Sequence, residues 1–131
     1  MAEKARETDP DVIVGIESRG FIFGAALADR LKTGFAPVRK PGKLPWKTNR
    51  VEYKLEYGSD SVEIHQDAVH KGERVLIVDD LLATGGTVQG TIELVERLKG
   101  VVVGLAFLVE LDFLKGRERL DGRRVTSVIQ Y

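Results

Sequence analysis

The stretch Arg74–Thr87, RVLIVDDLLATGGT, decides the fold. Val75–Val78 is an unbroken apolar run, and a strand that is apolar on both faces belongs inside a parallel sheet covered on both sides. Two adjacent carboxylates, Asp79 and Asp80, follow at the end of that strand, and Thr84-Gly85-Gly86-Thr87 then opens a helix. Ligands of open α/β sheets bind beyond the carboxyl ends of the strands. Glycines let backbone N–H groups come close to a phosphate, Thr hydroxyls add donors, and a helix N-terminus favours the anion. No GxxxxGK[ST] or GxGxxG pattern occurs, and the loop has no Lys to meet a triphosphate, so a single phosphate monoester fits better. Two acids ahead of the cradle suit sugar hydroxyls, directly or through Mg²⁺. A plain strand–turn–helix with a capping Thr explains TGGT alone, but not the apolar run, the acid pair and the cradle together. The combination reads as a sugar phosphate site.

Working outward, four further apolar runs predict strands: Asp11–Ile16, Gly34–Val38, Val101–Val109 and Val125–Gln130. Helical spacing lies between them. Phe21–Leu31 places Phe21, Ala25, Ala28 and Leu31 near one face, and Thr87–Lys99 aligns Val88, Ile92, Val95 and Leu98. Gly100 is expected to stop the second helix. Alternating strands and helices give an α/β class with right-handed crossovers. One region breaks the pattern. Arg39–Arg50, RKPGKLPWKTNR, reads as a long loop, and Val51–Tyr57 alternates as a half-exposed strand. Gly58-Ser59-Asp60 reads as a turn and Ser61–Ile64 as the returning strand. A long loop and hairpin inside such a domain, about residues 39–67, is expected to be an active-site flap on a single domain spanning 1–131.

Composition limits the classes of function. The 131 residues hold 20 Lys+Arg against 20 Asp+Glu, and this even balance argues against a nucleic-acid binder. There is no Cys, which excludes a disulfide scaffold, a thiol nucleophile and Cys-based metal sites. The two histidines, His65 and His70, make a poor metal set. The longest apolar run is too short to span a bilayer, and MAEKARETDPD has no apolar leader. The expectation is a soluble cytoplasmic protein with no membrane or nucleic-acid partner.

VLIVDDLLATGGT resembles the phosphoribosyl pyrophosphate signature of the type I phosphoribosyltransferases. VGIESRGFIFGAALA (14–28), PVRKPGKLPWKT (37–48), LEYGSDSVEIHQDAV (55–69) and LVELDFLKGRERL (108–120) resemble the adenine phosphoribosyltransferase family. The resemblance implies the type I core: a mostly parallel twisted sheet flanked by helices, with a β-hairpin flap. It implies transfer of the phosphoribosyl group from phosphoribosyl pyrophosphate to adenine, giving AMP and pyrophosphate, with Mg²⁺ accompanying the donor rather than held directly by the protein. It also implies a homodimer. By similarity, Ala83, Thr84, Gly85, Gly86 and Thr87 hold the 5′-phosphate, and Asp79 and Asp80 bind the ribose hydroxyls. Glu17, Ser18 and Arg19 match the pyrophosphate loop, with a cis bond ahead of Ser18 and with Arg19 on the diphosphate. Arg39, Lys40 and Lys43 match a basic segment that reaches pyrophosphate, in part from a neighbouring subunit. Glu56 and Tyr57 match the closing flap, with Glu56 managing the adenine proton, and Leu111 matches an apolar residue packed on the base.

Each of these residues also has a plainer reading. Arg19 can be a surface cation, although a helix start is unfavourable for one. The basic run 39–54 can be a solvated loop, Glu56 an exposed strand carboxylate, and Leu111 plain core. Two other functions fit the same motifs: a regulatory core that binds phosphoribosyl pyrophosphate or AMP without catalysis, and a phosphoribosyltransferase for another purine. In the family a few dozen residues precede the first strand and carry a hood over the base. Met1–Thr8 matches only the last turns of the helix ahead of that strand. The expectation is therefore a shortened chain with the donor half of the site complete, the base half reduced and apolar sheet surface uncovered.

Overall fold

The computed structural model describes residues 1–55 and 58–131. The elements run α1 (Ala2–Glu7), β1 (Val12–Ile16), α2 (Gly20–Leu31), β2 (Gly34–Val38), β3 (Thr48–Leu55), β4 (Gly58–His65), β5 (Arg74–Leu82), α3 (Gly86–Arg97), β6 (Val101–Glu110), two short 3-10 helices (Asp112–Leu114 and Gly116–Leu120) and β7 (Val125–Gln130). Five strands form a parallel sheet in the order β2-β1-β5-β6-β7, and β3 and β4 pair antiparallel beside it. The apolar runs become strands because helices cover both faces. Val12, Val14 and Ile16 of β1 and Val75 and Ile77 of β5 join a core with α3 and the hairpin. Ile13, Leu76 and Val78 face the other way, onto Ala5 of α1 and Leu27 and Ala28 of α2. The sheet changes winding direction between β1 and β5, where a ligand crevice opens at the strand ends.

Four expectations need correction. First, β5 does not end at Val78. Its ladder to β6 continues through Asp79, Leu81 and Leu82, so both carboxylates lie within the strand. Second, the buried face of α2 is Gly20, Gly24, Leu27 and Ala28, whereas Ala25 is exposed. The helix lies so close to the sheet that a Cβ on Gly24 would stand 2.9 Å from the Phe35 ring; small residues, not large ones, mark that contact. Third, the left-handed residue after α3 is Lys99 (φ 69°), not Gly100. Gly100 supplies space instead, because a Cβ there would lie 2.7 Å from a Val69 methyl. Fourth, Gly58-Ser59-Asp60 is strand, paired with Leu55, Lys54 and Tyr53.

The alternation in β3 holds, with Val51 and Tyr53 buried and Glu52 and Lys54 exposed. The hairpin is also anchored more firmly than a flap requires. Val51, Tyr53, Val62 and Ile64 belong to the same core as α3, and an antiparallel bridge joins Arg39 to Glu63. Val128 and Ile129 on edge strand β7 stay exposed. Among the described residues no helix is long and apolar enough to cross a membrane.

Candidate active site

A cleft of about 350 Å³ opens at the carboxyl ends of β1, β2 and β5, lined by residues 16–19, 38–40 and 79–88 together with Val62. Its floor is the acid pair at the end of β5. Burial pushes Asp79 up to about 8, against a backbone N–H bond from Asp80 to its Oδ1 (2.8 Å). Burial acts to raise Asp80, but the Arg19 guanidinium, 2.5 Å away, and hydrogen bonding with Asp79 together outweigh it and hold that carboxyl below its ordinary value. The two carboxyls are thus driven apart, Asp79 toward its protonated form and Asp80 toward its ionised form. A pair split in this way can both donate to and accept from a vicinal diol. Gly20 makes room for this arrangement, since a Cβ there would sit 2.9 Å from the Val78 carbonyl oxygen and 3.0 Å from Asp79 Oδ1.

One wall is the loop 83–85 and the start of α3. Gly85, the residue before the helix, has φ 91°, which favours glycine. Gly86, Thr87 and Val88 follow with N–H groups that no helical carbonyl claims. The opposite wall is basic. Glu17, nearly buried, accepts from Arg39 Nε (3.2 Å), the Lys40 backbone N–H (3.0 Å) and the Lys43 ammonium. Burial raises its carboxyl, and these three donors more than reverse that, leaving it below the ordinary value. Glu17 is thus the pin that folds the basic segment over the cleft. The Glu17–Ser18 peptide bond is cis.

The expected residues fall in four places. Glu17, Ser18, Arg19, Arg39, Lys40, Asp79, Asp80, Ala83, Thr84, Gly85, Gly86 and Thr87 line one cleft of this one chain. Lys43 is outside the lining but pairs with Glu17. Leu111 does not line the cleft; its N–H bonds to the Leu82 carbonyl at 3.0 Å. Glu56 and Tyr57 lie outside the described residues.

Sequence reasoning missed two supports. The 3-10 turn Gly116–Leu120 backs the phosphate loop so tightly that a Cβ on Gly116 would stand 2.3 Å from the Ala83 carbonyl oxygen. Arg117 fixes that turn through two bonds to Glu110, Nε at 3.0 Å and Nη2 at 2.6 Å. The second support is Tyr53, whose hydroxyl meets Thr87 and Lys40. In the sequence this turn is marked only by the basic run Lys115–Arg124, which has the composition of a solvated surface segment.

A sequence model of the phosphoribosyl transferase domain matches residues 1–129. The adenine phosphoribosyltransferase of Acidobacterium capsulatum is 62% identical over 131 residues, which is all of this chain and 72% of that protein. The chain belongs to the adenine phosphoribosyltransferase family. Solved structures of the family agree in shape. The enzyme of Thermoanaerobacter pseudethanolicus superposes with a TM-score of 0.94 at 54% identity, covering 99% of this chain and 78% of that one. The Saccharomyces cerevisiae adenine phosphoribosyltransferase, solved with adenine and an imino-altritol bisphosphate, gives 0.90 at 46%, covering 97% and 75%. The type I core expected of an adenine phosphoribosyltransferase is thus the fold observed, with its parallel sheet, flanking helices and antiparallel hairpin.

Proposed function

We propose that this cleft binds phosphoribosyl pyrophosphate with Mg²⁺ and transfers its phosphoribosyl group to adenine, releasing pyrophosphate and forming AMP, within one domain over residues 1–131. The observation that carries this reading is the joining, in one cleft, of an acid pair, a glycine phosphate loop and Arg19, Arg39 and Lys40. The 5′-phosphate is held by the 83–87 loop, and the ribose diol by Asp79 and Asp80. The diphosphate lies toward Arg19, Arg39 and Lys40, with Lys43 at the edge. Mg²⁺ keeps several waters and is usually bound through one or two carboxylates together with substrate phosphates, so it would enter with the diphosphate of the donor, near Asp79 and Asp80, and would offset the charge of the leaving pyrophosphate.

The adenine nitrogen attacks the anomeric carbon as the bond from that carbon to the pyrophosphate oxygen breaks. The electron pair leaves with pyrophosphate, and the cations stabilise that growing charge. The nitrogen's proton passes to a base, for which Glu56 is the candidate. The cationic centre must be kept from water, or ribose phosphate forms instead of AMP. The family resemblance also supports a homodimer, and the exposed Ile22 and Trp46 are available to such a contact.

The test is AMP formation from adenine and phosphoribosyl pyrophosphate with Mg²⁺, using the full chain, beside calorimetric titration of the donor alone. Asp80→Asn should abolish donor binding. Unchanged affinity in that variant overturns the site. Donor binding without AMP would make the chain a binding core rather than a transferase.

A further inference from the structure

Tyr53 lies outside the motifs that point to the donor, yet its hydroxyl meets both the basic wall and the start of the phosphate-binding helix. The side chain is buried, 9% exposed. Lys40 Nζ donates to the hydroxyl at 3.0 Å and Thr87 Oγ1 at 3.2 Å, while the hydroxyl donates to Asp60 Oδ2 at 3.4 Å. A phenol has one hydrogen to give and two lone pairs to receive, so these three partners fill its capacity. Asp60 also pairs directly with Lys40. The ring fits against α3 where two glycines stand one turn apart; a Cβ on Gly90 would be 3.2 Å from it and one on Gly86 3.6 Å. The Lys40 ammonium lies 5.6 Å from the ring centroid on another side. Tyr53 therefore touches the start of the phosphate-binding helix, the basic wall and, through its own strand, the hairpin.

We propose that Tyr53 is a positioning residue for the donor: its hydroxyl sets the Thr87 hydroxyl and the Lys40 ammonium on two walls of the cleft and ties both to the hairpin. This rests on the donor reading above, in which Thr87 meets the 5′-phosphate and Lys40 the diphosphate. Neither side chain is rigid alone. Thr87 has a free hydroxyl rotor, and Lys40 has a flexible four-carbon stem whose ordering costs entropy. A shared buried acceptor removes that freedom before the ligand arrives. Because the acceptor sits on β3, a shift of the hairpin is felt at both Lys40 and Thr87.

The experiment titrates the full chain with ribose 5-phosphate and, separately, with Mg²⁺-pyrophosphate. It compares wild type, Tyr53→Phe, Thr87→Val, Lys40→Met and the two double variants that contain Tyr53→Phe. Tyr53→Phe keeps the ring on Gly86 and Gly90, and should weaken each ligand about tenfold. In the Thr87→Val background it should no longer affect ribose 5-phosphate, and in the Lys40→Met background it should no longer affect pyrophosphate. A merely structural role would weaken both ligands equally in every background, and that result overturns the proposal. Wild-type affinity in Tyr53→Phe overturns it as well, while leaving the donor reading intact. A wild-type chain that binds neither ligand overturns the donor reading, and the role of Tyr53 with it. Should Tyr53→Phe not fold, 3-fluorotyrosine at position 53 gives the second measurement. Its fluorine resonance should move with either ligand, and a resonance moved by neither refutes the coupling.

Discussion

Gly116→Ala tests whether the phosphate loop owes its position to the turn behind it. The new Cβ would meet the Ala83 carbonyl oxygen at 2.3 Å, a Leu82 methyl at 3.0 Å and the Ala83 carbonyl carbon at 3.2 Å. Two of these atoms are backbone and cannot swing aside. Ordinary Cβ contacts begin at 3.4 Å, so the turn and the loop must part by roughly 1 Å, a small-to-large strain that costs about 1–3 kcal/mol. At this chain length each kcal/mol lowers the melting temperature by about 4 °C. The functional effect should exceed the stability effect, because a displacement of about 1 Å in a positioning element can cost about 10²-fold. The assay is a thermal melt beside ribose 5-phosphate titration. Gly122→Ala is the control. It lies just beyond the same turn, at φ 70°, with nothing within 4 Å of the added carbon. It should lose about 1 kcal/mol to backbone strain alone and bind as wild type. Unchanged affinity in Gly116→Ala, or an equal loss in Gly122→Ala, would refute the idea that the turn sets the loop.

Two further variants report on proton binding in the cleft and on backbone strain after α3. Asp79 is raised by burial from its ordinary 3.8 to about 8, so the folded chain holds a proton that the unfolded chain gives up, and stability falls as pH rises between those values. Asp79→Asn should therefore melt higher than wild type by a margin that grows from pH 5 to pH 8; a constant margin would show that Asp79 does not titrate late. Lys99 occupies the left-handed position after α3, so Lys99→Gly should gain about 0.5–1 kcal/mol, and a lower melting temperature would contradict this.

The centre of the sheet was readable because β1 and the first half of β5 are buried on both faces, so apolar runs such as Val75–Val78 stand out unbroken. The stripe of α3 was readable because Val88, Ile92, Val95 and Leu98 face a packed core at helical spacing. Legibility failed where packing is made by absence. Gly20, Gly24, Gly100 and Gly116 mark tight contacts by lacking a side chain, and their partners Asp79, Phe35, Val69 and Ala83 are distant in sequence. The end of β5 was hidden because Asp79 and Asp80 break the apolar run while the backbone ladder continues. In the site, the loop and the acid pair are contiguous and so could be found by motif. Tyr53 was hidden by its own regularity, since its place in a β alternation looks like core and only the three-dimensional structure shows where its hydroxyl ends.

The cations of the cleft do not wait bare. Among the described residues Arg19 is answered by Asp80, Arg39 and Lys43 by Glu17, and Lys40 by Asp60. Four cations share three carboxylates, so most of the positive charge is already answered before a ligand arrives and the long-range pull on an anion is smaller than four bare cations would exert. Capture is an exchange of partners at contact. A diphosphate on a sugar brings enough negative charge to replace several of these carboxylates at once. A lone orthophosphate brings less, so pairing of the cations is expected to favour the larger anion over the small ones that an open cluster of arginines would collect.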